Sequence, residues 1–409
     1  MAPGSRITMV DALRGYALLG LFLVHCVERF ELHWLHPQPG PWFDGVFALF
    51  SGKAFAIFAL LFGFSFATIM ANERARGGDF TLRFAWRLVL LFAIGTLHAF
   101  VYRGDILQVL SAAGVILIPF DRVRSDRLLA LLSALLFLQL PLLLRAWAAA
   151  HGAAWAQADP LFFGDGNLSA LAYGSFAEVA SANAGPGLLG KWSYYLATGR
   201  MVEIAGLFLL GMVIQRRGWF AAAERHKSGW IGVLCLSAAL WALASWLEPI
   251  VLPPAPDAGG TPMVRQSLEW ALEQWRALGA CGFQVALFVL VWLGSLQKML
   301  GWLAAPGKMT LTLYVGQSLV AAPLLYGFGW GLWDDLTDGQ LLLIGLVSFA
   351  AQASAAALWF KAYRYGPLRM ALARGHAHDA GGSLPGIRKG RPREAALPCG
   401  AKPSLRRSS

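Results

Sequence analysis

The sequence predicts an all-α fold: a polytopic transmembrane helical bundle of about ten spans, with both termini on the cytoplasmic side. Three observations predict it. Of 409 residues, 57% are hydrophobic and only 14% are charged, whereas a soluble domain carries about a quarter charged residues. Apolar runs of roughly 20 residues recur along the chain, the length a helix needs to cross a bilayer. Lys and Arg gather in every second connection, as the positive-inside rule requires. The net charge of +11 therefore belongs to loops and tail, and nucleic acid is excluded as a partner.

The spans fall roughly at 10–28, 46–71, 84–102, 104–120, 127–145, 199–215, 229–248, 277–297, 308–328 and 339–362. With the N-terminus inside, the inner connections hold Arg74, Arg76, Arg83 and Arg87, then Arg122, Arg124 and Arg127, then Arg216, Arg217, Arg225 and Lys227, then Lys298 and Lys308. The outer connections hold isolated cations such as Arg29 and Arg103, and the acidic run Asp334-Asp335-Leu336-Thr337-Asp338. An even number of spans follows, in a bacterial inner membrane. Residues 1–370 are read as one integral membrane domain and 371–409, rich in Gly, Pro, Arg and Ser, as a disordered basic cytoplasmic tail.

Two outer connections are long. Residues 146–198 carry turn signals at Asp159-Pro160 and Gly185-Pro186-Gly187, with a mildly amphipathic stretch from Leu168 to Ala182. Residues 249–276 open on prolines and then predict a short helix over 267–275. Either connection is long enough for a lid or a substrate-binding role, or serves simply as connecting structure. The cysteines, Cys26, Cys235, Cys281 and Cys399, have no CxxC or Cys/His spacing. A metal site, a disulfide framework and a bound cofactor are therefore not expected.

Ionisable residues inside spans are costly and mark functional sites. In the first span Arg14 and His25 are eleven residues apart. At about 100° per residue both lie on one helix face, roughly 16 Å apart along the axis. Arg14 falls near the cytoplasmic end, with Asp11 three residues before it, and His25 in the outer third. Lys53 lies just below the outer surface. The hairpin Gly95 to Leu107 brings His98, Arg103 and Asp105 within reach of one another on the same side. A carboxylate beside an imidazole holds one tautomer and strengthens it as a base. Glu203, one turn after Arg200, also lies toward the outside. Each has a plainer reading: Arg14 snorkelling to headgroups, His25 packing, Lys53 at the interface, Arg103 paired with Asp105, and Arg200 paired with Glu203. The outer gathering of His25, Lys53, His98, Arg103, Asp105 and Glu203 nevertheless suits proton-coupled transport or acyl transfer.

Four stretches resemble the YeiB-like membrane protein family, domain of unknown function 418. They are Asp11-Ala12-Leu13-Arg14-Gly15-Tyr16-Ala17-Leu18-Leu19-Gly20, Gly52-Lys53 through Leu60-Leu61-Phe62-Gly63-Phe64, His98 through Gly104-Asp105-Ile106-Leu107, and Gly307-Lys308-Met309-Thr310-Leu311-Thr312-Leu313-Tyr314-Val315-Gly316-Gln317-Ser318. The family is grouped with transmembrane acyltransferases that carry acyl groups from cytoplasmic acyl-CoA to extracytoplasmic sugars. In acyltransferase-3 relatives a first-span Arg and a His eleven residues later are considered essential, and Arg14 and His25 match that spacing. YeiB-like members more often have Asn at the His25 position. Their C-terminal Gly-Pro-Leu-Glu-Trp signature reads here Gly366-Pro367-Leu368-Arg369-Met370, without the acidic residue.

The resemblance implies a membrane acyltransferase with acyl-CoA as donor and an envelope glycan as acceptor, in contact with membrane lipid. Its base would be His25, or His98 oriented by Asp105. Arg14 and Lys53 would hold donor phosphate or carbonyl groups, and Arg103 and Glu203 would contribute to substrate binding. A transporter of a small organic solute or lipid is the second reading, and a non-catalytic scaffold the third. Against transport, the sequence offers no paired broken helices and no repeated halves.

Overall fold

The computed structural model describes residues 7–38, 40–164, 166–254, 262–363 and 365–368. The predicted tail, Arg369, Met370 and the stretch 255–261 lie outside the described residues. The regular elements found are helices. In order they are α1 (Thr8–Val27), α2 (Pro41–Phe50), α3 (Lys53–Arg74), α4 (Thr81–Ala99), α5 (Leu107–Gly114), α6 (Leu117–Phe120), α7 (Asp126–Phe137), α8 (Leu140–Ala150), α9 (Ala154–Gln157), α10 (Leu168–Tyr173), α11 (Phe176–Ala182), α12 (Leu188–Ala197), α13 (Arg200–Arg216), α14 (Lys227–Val251), α15 (Met263–Leu293), α16 (Gln297–Gly301), α17 (Ala304–Lys308), α18 (Thr310–Leu325) and α19 (Asp338–Ala362).

Among the described residues, seven helical stretches are long and apolar enough to cross a membrane. An eighth forms if the bent pair Phe176–Ala197 and Arg200–Arg216 is one span. The protein is a multi-pass membrane protein. Five expected spans differ in form, two of them, 46–71 and 127–145, by a short interruption at 51–52 and 138–139. The stretch 104–120 is two short helices, α5 and α6, interrupted at Val115–Ile116. The stretch 308–328 forms α18, of only 16 residues. The stretch 277–297 and the short helix expected over 267–275 are one continuous 31-residue helix, α15. The long connection 146–198 is largely helical. In it α11 and α12 are joined by a π-helical turn, Asn183–Gly187, forced by Pro186, which has no N–H to donate.

The apolar residues divide as a membrane requires. Leu13, Leu18, Ile57, Leu61, Phe66, Phe208 and Phe349 are fully buried in one core. Leu82, Leu236, Val320, Trp246 and Val347 lie open on the outer faces, which costs nothing against lipid tails.

In lipid, helices associate through close packing rather than through release of water, so small residues mark the contacts. Gly63 and Gly211 serve α3 and α13 reciprocally: a Cβ at Gly63 would fall on the Phe208 carbonyl, and one at Gly211 on that of Leu60. Gly15 and Gly307 do the same for α1 and α17, facing the carbonyls of Leu303 and Asp11. The motifs around Arg14 and Gly307 are thus two halves of one helix contact.

The loops sort into two ends. At one end Arg74 forms an ion pair with Asp121 at 3.0 Å, and Arg216 donates to the carbonyls of Val123 and Asp121. Gly366 lies against Met309, and the Leu368 N–H donates to Thr312 Oγ1, near the α17 contact with the start of α1. The described chain therefore starts and finishes on one side of the bundle. At the other end Arg29 binds Asp338 at 2.8 Å and the carbonyls of Trp333 and Leu336, while Tyr326 Oη donates to Phe30 O. Thr337 and Gln340 form a reciprocal cap that starts α19 there.

Candidate functional site

The candidate site lies at the His25 end. It begins with the local hairpin of α4 and α5. His98 occupies the last turn of α4, and Asp105 lies two residues before α5. Their side chains meet: His98 Nδ1 lies 2.7 Å from Asp105 Oδ2, with both side chains essentially inaccessible. Asp105 Oδ1 accepts the Gln108 N–H at 3.0 Å, so the carboxylate also holds the first turn of α5. Gly95 permits the approach, because a Cβ there would lie 2.6 Å from Asp105 Oδ1 and 2.7 Å from Gln108 N. His98 Nε2 is buried and has no hydrogen-bond partner.

His25 reaches the same place from α1. Its Nδ1 lies 2.7 Å from Tyr102 Oη, and its Nε2 is likewise buried without a partner. Tyr102, fully buried, connects the two imidazoles, its ring centroid lying 5.0 Å from that of His25 and 6.2 Å from that of His98. Tyr314, from the motif after Gly307, stacks edge-on against His98 at 5.4 Å, and its Oη accepts the Ile106 N–H. Two ring nitrogens that each lack a partner, in one buried aromatic setting, are the expected form of an acid–base site awaiting a substrate.

Around this centre stand charges contributed by distant segments. Lys191 on α12 donates to Gln108 Oε1 and lies within electrostatic reach of Asp105 and Glu31. Arg103 is buried and donates to Asn183 Oδ1 at 3.0 Å and to Gly166 O at 2.7 Å. Asn183, in the π-helical turn, also donates to Phe100 O, so the unusual turn fixes the 146–198 connection onto the hairpin. Glu31 is carried in by an uncommon device. Arg29, Phe30 and Glu31 are three consecutive left-handed residues, with φ of 53°, 51° and 85°, and none is glycine. Such residues cost about 1–2 kcal/mol each and persist where surrounding contacts over-determine them; here those contacts are the Arg29 bonds and the Tyr326–Phe30 bond.

The sequence-predicted residues thus divide into three places. His25, His98, Arg103 and Asp105 come together. Arg14 lies at the other end of α1, bonded to Asp11 at 2.8 Å and to Ser65 Oγ at 2.6 Å. Lys53 and Glu203 stand in the first turns of α3 and α13, each within electrostatic reach of Arg200. Sequence reasoning missed Glu31, Tyr102, Asn183 and Lys191. Tyr102 stood within the hairpin motif, but the others act across long separations and carry no local signal.

Comparison with known proteins gives two family matches, each over part of the chain. Residues 6–161 match the family model described as "Heparan-alpha-glucosaminide N-acetyltransferase, catalytic". Residues 214–374 match "Protein of unknown function (DUF418)". The first match contains His25, His98, Tyr102 and Asp105. The resemblance expected from the four motifs is therefore found, together with an acyltransferase-like relation. Similar relatives are "Uncharacterized protein YxaH" of Bacillus subtilis (strain 168), 24% identical over 88% of this chain and 92% of its own, and "Uncharacterized 39.9 kDa protein in amylase 3'region" of Bacillus acidopullulyticus, 22% identical over 90% and 93%.

Proposed function

We propose that the protein is an inner-membrane acyltransferase that moves an acyl group from cytoplasmic acyl-CoA to a hydroxyl or amine of an envelope acceptor, with both termini in the cytoplasm and the His98 end facing outward. One observation carries the reading: the buried His98–Asp105 pair, whose Nε2 is left without a partner beside a second such imidazole, His25. The match of residues 6–161 to an acetyltransferase catalytic model supports the choice of chemistry.

In this reading Asp105 accepts the His98 Nδ1–H, so Nε2 is the basic nitrogen. It takes the proton of the acceptor as the acceptor's oxygen or nitrogen attacks the thioester carbonyl. The carbon–sulfur bond breaks, and His98 returns the proton to the departing thiolate. Where Tyr102 donates to His25 Nδ1, His25 carries its hydrogen on Nε2 and donates it to the carbonyl oxygen as negative charge grows there. Arg14, at the opposite end of α1, would meet the donor's charged portion on the cytoplasmic side.

The test is acyl-CoA turnover by the purified protein in detergent with envelope extracts, alongside glycan and lipid analysis of cells with and without the gene. His98→Asn and His25→Asn should each abolish acyl marking without altering expression. Unchanged turnover in both variants excludes the mechanism. The transporter reading gains one observation, the two interrupted helices described below. It is favoured instead if gradient-dependent solute uptake occurs in proteoliposomes without any acyl donor.

A further inference from the structure

Two apolar helical stretches are interrupted close to each other. The stretch that begins at Pro41 breaks at Ser51–Gly52, and the one that begins at Phe176 breaks at Thr198–Gly199 with a bend of 65°. Each break uses a left-handed glycine, with φ of 75° at Gly52 and 77° at Gly199. Each helix then restarts with a cation as its first residue, Lys53 in α3 and Arg200 in α13. The restarts meet, since a Cβ at Gly52 would lie 3.0 Å from Arg200 Nη2 and 3.3 Å from Nη1. Helix starts present unsatisfied N–H groups and the positive end of the dipole. Two of them, with two cations, concentrate positive potential on one spot, as broken transporter helices do around anionic substrate groups.

The buried groups there are not satisfied by the protein. Arg200 is only 7% exposed. Its Nε donates to Tyr194 Oη at 3.0 Å, and its ring partner is again Tyr194. Its Nη1 and Nη2 have no acceptor among the described residues. Glu203, one turn later, is 1% exposed, and neither of its carboxylate oxygens has a hydrogen-bond partner. Arg200 and Glu203 lie within electrostatic reach of each other but form no hydrogen-bonded ion pair. Lys53 makes only a long contact, 3.4 Å, to Phe47 O. Arg276, nearby, is already held by Glu248, while the exposed Glu273 lies on the open side, within electrostatic reach of Lys53 and Glu203. Unpaired buried charge is strongly unfavourable. The missing partners are an acceptor for Arg200 and a donor for Glu203.

We propose that this breach is a phosphate-binding subsite. The Arg200 fork, Lys53 and the N–H groups of the two helix starts would take a phosphate group, and Glu203 would take an ammonium or hydroxyl of the same molecule. A planar carboxylate has two oxygens for this set, whereas a phosphate offers three to donors arriving from three directions. Tyr195 lies within electrostatic reach of Arg200 on one side and of Asp105 and Glu31 on the other, so the occupant would extend toward His98. The subsite stands on its own observations; only its assignment to donor or acceptor rests on the acyl-transfer reading.

The experiment is calorimetry and thermal melting of the purified full-length protein in detergent with phosphoethanolamine, glycerol 3-phosphate, inorganic phosphate, CoA and acetate. Phosphate-bearing probes should bind and raise the melting temperature, and acetate should not. Arg200→Gln should weaken binding by about tenfold or more, the effect of losing charge-assisted hydrogen bonds. Lys53→Gln, on the open side, should weaken it severalfold and covers the case in which Arg200→Gln does not fold. Glu203→Gln should remove any preference for phosphoethanolamine over inorganic phosphate. Tightest binding of CoA assigns the subsite to the donor; tightest binding of phosphoethanolamine or glycerol 3-phosphate assigns it to the acceptor. Phosphate binding that is weakened by Arg200→Gln in a protein showing no acyl turnover would leave this reading standing where the catalytic one fails. No binding of any phosphate probe at millimolar concentration, equal binding of acetate, or unchanged binding in Arg200→Gln and Lys53→Gln would overturn it.

Discussion

At the residue scale the decisive pair is His98 and Asp105, joined at 2.7 Å in surroundings closed to solvent. A carboxylate in that position selects which imidazole nitrogen is basic. Asp105→Asn keeps the shape but reverses the hydrogen-bond polarity, and turnover should fall by about 100-fold or more, measured as thiol release from acyl-CoA. Tyr102→Phe removes the partner of His25 Nδ1 while keeping the ring that packs against both histidines. Its expected effect is smaller, roughly tenfold, with little change in melting. This pair was legible in the sequence because only seven positions separate its members and a tight hairpin brings them together. Glu31 and Lys191 were not, because their contact with the hairpin depends on the left-handed turn after α1 and on the fold of the 146–198 connection.

At the element scale the glycines decide which helices touch. Gly63 and Gly211 bring the α3 and α13 backbones into contact, and Gly15 and Gly307 do so for α1 and α17. Gly63→Val would force α3 off the Phe208 carbonyl, at a cost of about 1–3 kcal/mol, seen as a melting temperature several degrees lower in detergent. Gly316, on α18, faces open space, so Gly316→Ala should leave melting unchanged or slightly raised, as helix propensity favours Ala by about 1 kcal/mol. The contrast separates close-packing glycines from incidental ones. The sequence reading placed Gly52 inside the span 46–71 and Gly199 at the start of the span 199–215, and it found no paired broken helices. In the structure both carry a positive φ at an interruption, the second with a bend of 65°, and they meet. A glycine in sequence does not report its backbone angle, so only the chain path distinguishes a break from a flexible position.

At the scale of the whole molecule, the basic connections 71–84, 120–127 and 215–229 meet at one end, and the acidic run 334–338 joins the His25 end. That sorting agrees with the alternation of Lys and Arg along the chain. The proposed orientation predicts that a fluorescent-protein fusion at the C-terminus is fluorescent in the cytoplasm, and that a cysteine placed at Ser169, in the 146–198 connection, is labelled by an impermeant maleimide from outside. Labelling only after the membrane is opened would reverse the orientation and move the His98 site to the cytoplasmic face.

Composition and periodicity alone determined the helical membrane class, because hydrocarbon admits few other backbones, and they determined the alternation of loop charge and the local His98–Asp105 hairpin. The tertiary structure alone decided that His25 joins that hairpin through Tyr102, that Arg14 is bonded to Asp11 and Ser65, and that the restarts at Lys53 and Arg200 converge. The reason is physical. Hydropathy and helical period report which residues can face lipid and which neighbours share a turn. Contacts between segments fifty or more residues apart depend on how closely helices approach, and that is set by small residues and chain breaks acting together across the bundle.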